Sequence, residues 1–448
     1  MSETMLNTLA QDYLDLTLSK SRYDEIDIQW FTESPFWRRT SMRYSREYKI
    51  LPDYEIGDLK HGKSLRDILD ESENLIGLLK AYRATAQEQE LARIDYIIDH
   101  VTSVHVRAQL LSGQTMSYDE MTDGLYGLVA PEYDPKPMQD LLSDLQQVLP
   151  GSGSVQEKIA AFRSRITVPT EHLLQVLTGA TQFFHDETVR HMHVTGNSMP
   201  RVRVRALADP RSDFLSILFG YDYNHLEYER NFNTLVRWSA DKIVECIGHE
   251  MEPGHLTYYE KRTQAMIDTC WPEMAVVSQY SPSSAFTEGS ARVIIDTCFE
   301  NSMAKKIDFE RAYIFEPAGL DVQLLELMPL WHRYMETAGY AKLEATRQLW
   351  NNVWTAKQAA AELRSCGALA PDASDDDALH LAGDDGHFVA HDYARDVIRS
   401  YFARHCKTVQ DEWDLYERLC SAHMSMRRMK EQPDVAQAYF FRDIGCHI

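Results

Sequence analysis

The chain is short of positive charge. Its 46 lysines and arginines stand against 68 aspartates and glutamates, a formal net charge of −22. A surface of that sign repels phosphate backbones and anionic lipid headgroups, which argues against nucleic-acid or membrane partners. Glycine and proline are also scarce, at 20 and 16 residues of 448, so tight turns are few and helices are favoured. Nowhere do roughly 18 apolar residues run together, so no segment reads as a transmembrane helix. The seven cysteines form no CxxC pair, and their odd number and wide spread argue against a disulfide framework or a thiolate zinc site. The opening stretch carries Glu3 and Asp12 where a secretory signal has basic residues and then an apolar core, so a cytoplasmic location is expected.

What the chain does have is apolar content, 44% of residues with 10% aromatic, ample for a buried core and incompatible with general disorder. Apolar residues recur near helical spacing over 64–80 (Leu65, Ile68, Leu69, Leu75, Ile76, Leu78, Leu79) and again over 91–111. Two breaks follow, at Pro131 to Pro137 and at Pro150 to Ser154; the second is either a linker or a loop between two helices. The expected organisation is an N-terminal helical region over 1–150, a core over 151–300 and a C-terminal helical region over 301–448, which together amount to one continuous domain if the breaks are only loops.

Three segments in the middle set the local expectations. Over 188–206, alternation of Val189, His191 and His193 with Val202, Val204 and Ala206 around a Thr-Gly-Asn-Ser turn predicts a β-hairpin. One face of it carries Arg201, Arg203 and Arg205, either an edge strand protected by charge or a strand whose arginines meet a substrate carboxylate. Over 231–250, Phe232, Leu235, Val236, Ser239, Ile243 and Ile247 form one stripe, predicting a helix of about five turns. Pro282, Ser283 and Ser284 open another helix running to about 300.

The helix predicted over 231–250 ends in His249-Glu250-Met251-Glu252-Pro253-Gly254-His255. In the familiar zinc signature the histidines stand at i and i+4 with Glu as general base. Here they stand at i and i+6, about 120° apart and about 9 Å along a straight helix, too far to share one ion. Pro253 disfavours helical backbone at Glu252 and Gly254 can take positive φ, so the helix can stop after Glu250 and the chain can bring His255 back toward His249. Two imidazoles, a carboxylate from elsewhere and one open position make a catalytic zinc arrangement, in which Glu250 takes a proton from a water acidified by the metal.

This HExxPGH run, followed some thirty residues later by a helix carrying Glu-Gly, resembles the bacterial family called domain of unknown function 885, itself similar to helical metallopeptidases of the carboxypeptidase Taq and thimet oligopeptidase types. The resemblance is concentrated over about 220–300. It implies a mainly α, multi-helical, two-lobed architecture with a central cleft and a minor β-hairpin. It also places the family's His, Glu and His on His249, Glu250 and His255, and its Glu-Gly on Glu288 and Gly289, making Glu288 the third metal ligand. The sequence departs from the family at Leu256, Tyr258 and Ser290, where a His, a Gln and a Trp are usual, which changes the pocket lining rather than the ligands.

For the oxyanion, Tyr258 and Tyr259 lie on the face of His255 if a helix continues, and Tyr439 and Arg442 match a tail segment of the family. Glu245 stands at i−4 from His249, either an exposed helix glutamate or a group that orients that ring. Arg292 stands at i+4 from Glu288 and could pair with it instead of a metal. Glu252 reads as a solvated charge or, so near the turn, as an alternative ligand. The run over 372–392, with His380, His387 and His391 among aspartates, reads as a solvated loop without the spacing of a calcium loop. The expected function is a zinc-dependent hydrolase of a peptide or small amide, with another divalent metal possible in place of zinc. The alternatives are a metal-dependent lyase or hydrolase of a small metabolite, and an inert helical binding protein. No nucleic acid or membrane partner is expected, and oligomeric state is not legible.

Overall fold

Helix starts are written into this chain by capping side chains. Ser64 caps α2 (Leu65–Arg83), Ser117 caps α4 (Tyr118–Tyr126) and Ser154 caps α6 (Val155–Arg165), each in a reciprocal box with the acid three residues on. The computed structural model describes residues 2–24, 28–31, 62–193, 199–207, 214–219, 227–269, 271–370, 374–375, 386–423 and 425–431. Within them the protein is mainly helical, and no helix is long and apolar enough to cross a membrane.

The helices gather around two main cores and one small cluster. In the smaller one α1 (Ser2–Lys20), α2 and α3 (Glu88–Leu111) bury Leu14, Ile68, Leu75, Ile94 and Ile97 together with Met266, Met274 and Val276 from farther along the chain. The larger core takes α4, α5 (Lys136–Val148), α6 and α7 (Thr170–His191), then α8 (Ala240–Glu250), α9 (His255–Thr269) and α10 (Pro282–Cys298). It continues through α11 (Met303–Glu310), the single turn α12 (Glu316–Ala318), α13 (Met328–Trp350), α15 (Ala394–His405), α16 (Val409–Cys420) and α17 (Met426–Glu431), while Ala359, Ala360 and Leu363 of α14 (Ala356–Ser365) pack with Ala345 and Leu369 in a small third cluster. The glycine-rich break at 150–154 is a loop joining α5 to α6, whose Leu145, Leu149, Ile159 and Phe162 share this core. Two π-helical turns interrupt the pattern, Arg311–Phe315 and Val389–Tyr393.

The strands differ from expectation. The segment holding Val189 and His191 is the end of α7, because Leu173, Val176, Leu177, Ala180, Phe184 and Thr188 continue one buried helical stripe. Among the described residues of 188–206 there is therefore no hairpin. Instead β2 (Arg201–Arg205) lies parallel to β4 (Glu227–Asn233), which pairs antiparallel with β3 (Phe214–Phe219) in a sheet of order β2-β4-β3. The expected five-turn helix over 231–250 is likewise corrected. Phe232 belongs to β4, Leu235 is exposed, and Ser239 starts a shorter α8 rather than sitting inside a longer helix. A second, two-stranded sheet pairs β1 (Ile28–Phe31) with β5 (Val276–Ser278).

Candidate metal centre

Helix α8 stops at Glu250 and α9 starts at His255, and the four residues between them fold the chain back on itself. The backbone N–H of Gly254 donates to the carbonyl of Gly248 at 3.0 Å. Gly254 is required there by close approach, not by positive φ, which it does not adopt: a Cβ would lie 1.9 Å from the carbonyl oxygen of His249. The buried Tyr416 hydroxyl, from α16, donates to the Pro253 carbonyl at 2.8 Å and lies 3.3 Å from that of Gly254. The turn so fixed brings the rings of His249 and His255 to 4.4 Å between centroids.

Helix α10 supplies the carboxylate. A Cβ on Gly289 would lie 2.7 Å from backbone atoms of Ala394 and Arg395. Glycine therefore lets α15 and the π-helical turn before it close directly onto α10. That contact delivers His391 to the same point. Glu288 Oε2 lies 2.9 Å from His249 Nε2, 3.3 Å from His255 Nε2 and 3.0 Å from His391 Nε2. One ligand atom from each of His249, His255 and Glu288 lies within 4.8 Å of the others, and all three residues are buried. Burial alone would raise the Glu288 carboxyl, but the imidazoles of His391, His255 and His249 outweigh it and hold it well below the usual carboxylate range. Burial and the neighbouring His387 push His391 well below the ordinary histidine value, against the pull of Glu288. The Nδ1 atoms of His249 and His391 are buried without a hydrogen-bond partner among the described residues. Two imidazoles and a carboxylate gathered in a dry site are a donor set that fits zinc or a similar divalent cation.

The flanking charges are sorted among partners. Arg292 does not take Glu288; it binds Glu245 at 2.8 Å and Asp392 at 2.6 Å, leaving Glu288 to the histidines. Glu245 therefore serves Arg292, and no hydrogen bond to the His249 ring is formed. Glu252 is not solvated: it is 2% exposed and its Oε2 lies 2.6 Å from His185 Nδ1. Glu250, partly exposed, meets Arg230 of β4 at 3.1 Å, and that guanidinium is fully buried.

Of the expected oxyanion donors, Tyr259 stacks on His255 at 5.8 Å between centroids. The Tyr258 hydroxyl instead accepts from Arg262 at 3.3 Å, in a buried network with Tyr96. Tyr439 and Arg442 lie outside the described residues. The solvated-loop reading of 372–392 is corrected at its end, where His391 reaches Glu288. Arg230 was invisible in the sequence. Strand alternation sends Arg201, Arg203 and Arg205 to the opposite face of the sheet, where Arg203 pairs with Glu229, and leaves Arg230 facing Glu250.

No known protein family matches the sequence, and no curated protein does. A solved structure described as a candidate lipoprotein from Colwellia psychrerythraea aligns with 83% of this chain and 70% of its own, at 14% identity and a TM-score of 0.45. A likeness at that level carries no inference about this chain.

Proposed function

We propose that the protein is a metal-dependent hydrolase, metallopeptidase-like in chemistry, that opens a peptide or small amide bond in a cleft between two helical lobes. The observation that carries this reading is the convergence of His249, His255 and Glu288 within 4.8 Å, with Glu250 next in sequence to the first of them. These three residues would hold the cation, zinc being the best match to their donor atoms. When bound, such a cation supplies a Lewis acid that acidifies water and polarises a carbonyl. The Glu250 carboxylate takes the proton of the attacking water and passes it to the departing nitrogen. Arg230 fixes the orientation of that carboxylate. His391 and Tyr259 are the groups beside the cluster positioned to donate to the oxygen as it gains negative charge. The peptide or amide as substrate and the kinship with domain of unknown function 885 rest on the sequence resemblance alone, and the cytoplasmic location on the unpaired, scattered cysteines.

A purely structural zinc site has no use for a general base at its edge, which favours an enzyme over an inert binding protein. The test is metal content of protein purified without chelators or a histidine tag, followed by hydrolysis of peptide and amide panels. About one zinc per chain is expected in the wild type and none in His249→Ala, while Glu250→Gln keeps its zinc and loses turnover. No metal in the wild type after zinc is supplied would overturn the reading.

A further inference from the structure

We propose that a cavity beside the candidate metal centre recognises an anionic group, a carboxylate or a phosphate, on a small substrate; this deepens the hydrolase reading and rests on it. The cavity has a volume of about 600 Å³ and is walled by α6, α8, α10, α13 and the π-helical turn of His391. That volume suits a small molecule better than a long peptide. Its wall includes His391, Glu245 and Arg292, so the cluster around Glu288 lies one side chain behind it.

The argument is one of uncompensated charge. In a chain of net charge −22, cations are expected to be fully paired. Of the acids on this wall, Asp392 is held by Arg292 and Arg395, Glu245 by Arg292, Asp296 by Lys306 and Arg399, and Glu336 by Arg399, which leaves Asp241 without an ion pair among the described residues. Three cations of the same wall, the part-buried Arg163 and Lys342 and the exposed Arg237, form no ion pair among the described residues; water screens Arg237, so Arg163 and Lys342 carry the argument. Arg163 rests instead against Met335 Sδ at 3.7 Å and over the Trp331 ring at 5.4 Å. Lys342 lies 6.0 Å from the Phe388 ring. Asp241 and Glu245 each have a buried oxygen without a hydrogen-bond partner, but Glu245 is ion-paired with Arg292, so one unpaired acid stands against three unpaired cations and the balance remains positive. Burial lowers the Lys342 ammonium, Asp392 opposes that, and Arg163 and Arg292 add to it, which places Arg163 within electrostatic reach of Lys342. An arriving anion relieves this repulsion and gains charge-assisted hydrogen bonds.

The experiment is calorimetric titration with inorganic phosphate and, separately, with succinate at fixed ionic strength, on the wild type, Lys342→Met, Arg163→Gln and His249→Ala. Zinc content and melting temperature are measured for each. The expected result is binding of one probe by the wild type and, with similar affinity, by His249→Ala, weakened about tenfold or more in Lys342→Met and Arg163→Gln. Which probe binds separates phosphate from carboxylate recognition. Arg163 is only half-buried, so its variant keeps the test decisive if Lys342→Met fails to fold. Binding that survives both cavity variants, binding lost in His249→Ala, or no binding of either probe would overturn the proposal. A wild type without zinc overturns the hydrolase reading instead, and the loss of anion binding in the cavity variants would still uphold the cavity as an anion site.

Discussion

At the scale of single residues, the centre depends on a glycine more than on any of its ligands' neighbours. Because a Cβ on Gly254 would sit 1.9 Å from the His249 carbonyl oxygen, Gly254→Ala must push α8 and the start of α9 apart, separating the two imidazoles. Displacing the groups that orient ligands commonly costs 10- to 100-fold in metal affinity. Gly254→Ala is therefore expected to bind zinc at least about tenfold more weakly than wild type, as measured by competition with a chromophoric chelator; wild-type affinity would show that the turn is not what aligns the ligands. His249, Glu250, His255 and Glu288 were legible in the sequence because one short signature and its follow-up hold all four. His391 was not. It is 103 residues beyond Glu288 by number, it follows a run of aspartates that reads as solvent-facing, and nothing local announces the close helix contact that brings it in. Gly289 was noticed only as half of a Glu-Gly pair, while its physical role is to admit Ala394.

At the scale of elements, that same contact between α10 and α15 makes a second prediction. Alanine at Gly289 would meet backbone of Ala394 and Arg395 at 2.7 Å, and backbone cannot rotate aside as a side chain can. Overpacking of this kind costs about 1–3 kcal/mol. Gly77, exposed within α2, has nothing within 4 Å of a Cβ. Its replacement by alanine should stabilise by about 0.5–1 kcal/mol through helix propensity alone. Urea unfolding of the two variants should thus shift in opposite directions, and shifts of the same sign would refute the packing argument. Sequence periodicity gave α2 and α3 nearly to their ends, and the Pro-Ser-Ser start placed α10, which is buried on nearly every side and carries no one-sided stripe. It failed at 188–206 and 231–250 for one reason. Short apolar runs fit both periods, and the deciding facts were distant: α7 continues because α8 covers its buried stripe, and Phe232 is extended because β2 and β3 flank it.

At the scale of the whole molecule, a buried polar seam joins the N-terminal helices to the body that holds the centre. Arg93 of α3 pairs with Glu273, which also meets His423 at 2.9 Å, and Tyr96 and His100 both contact Ser283 at the start of α10 at 2.8 Å. These partners are more than a hundred residues apart, which is why no local pattern foretold them. The seam makes stability depend on pH with a definite sign. Burial lowers His100 to about 3 and His423 to about 4, from an ordinary value of 6.5. The unfolded chain therefore takes up protons first, and this stability is present above about pH 6.5 and lost as pH falls toward those values. Asp99, also on α3, acts in the opposite sense: burial raises it from 3.8 to about 6, against the Ser425 hydroxyl and the charge of Arg427. Its contribution is fully present below pH 3.8 and is lost as pH rises through about 6. Asp99 therefore blunts the acid loss caused by the histidines, and Asp99→Asn removes that compensation while keeping an acceptor for Ser425. Between pH 7.5 and 4.5 the variant should lose about 2 kcal/mol more stability than the wild type in urea titrations, the cost of roughly one and a half pKa units. It should compare best with the wild type at the alkaline end, where the wild type carries a buried charge. Parallel pH profiles for the two proteins would mean that Asp99 is ionised in the folded chain throughout, and that the seam between α3 and α17 is wet.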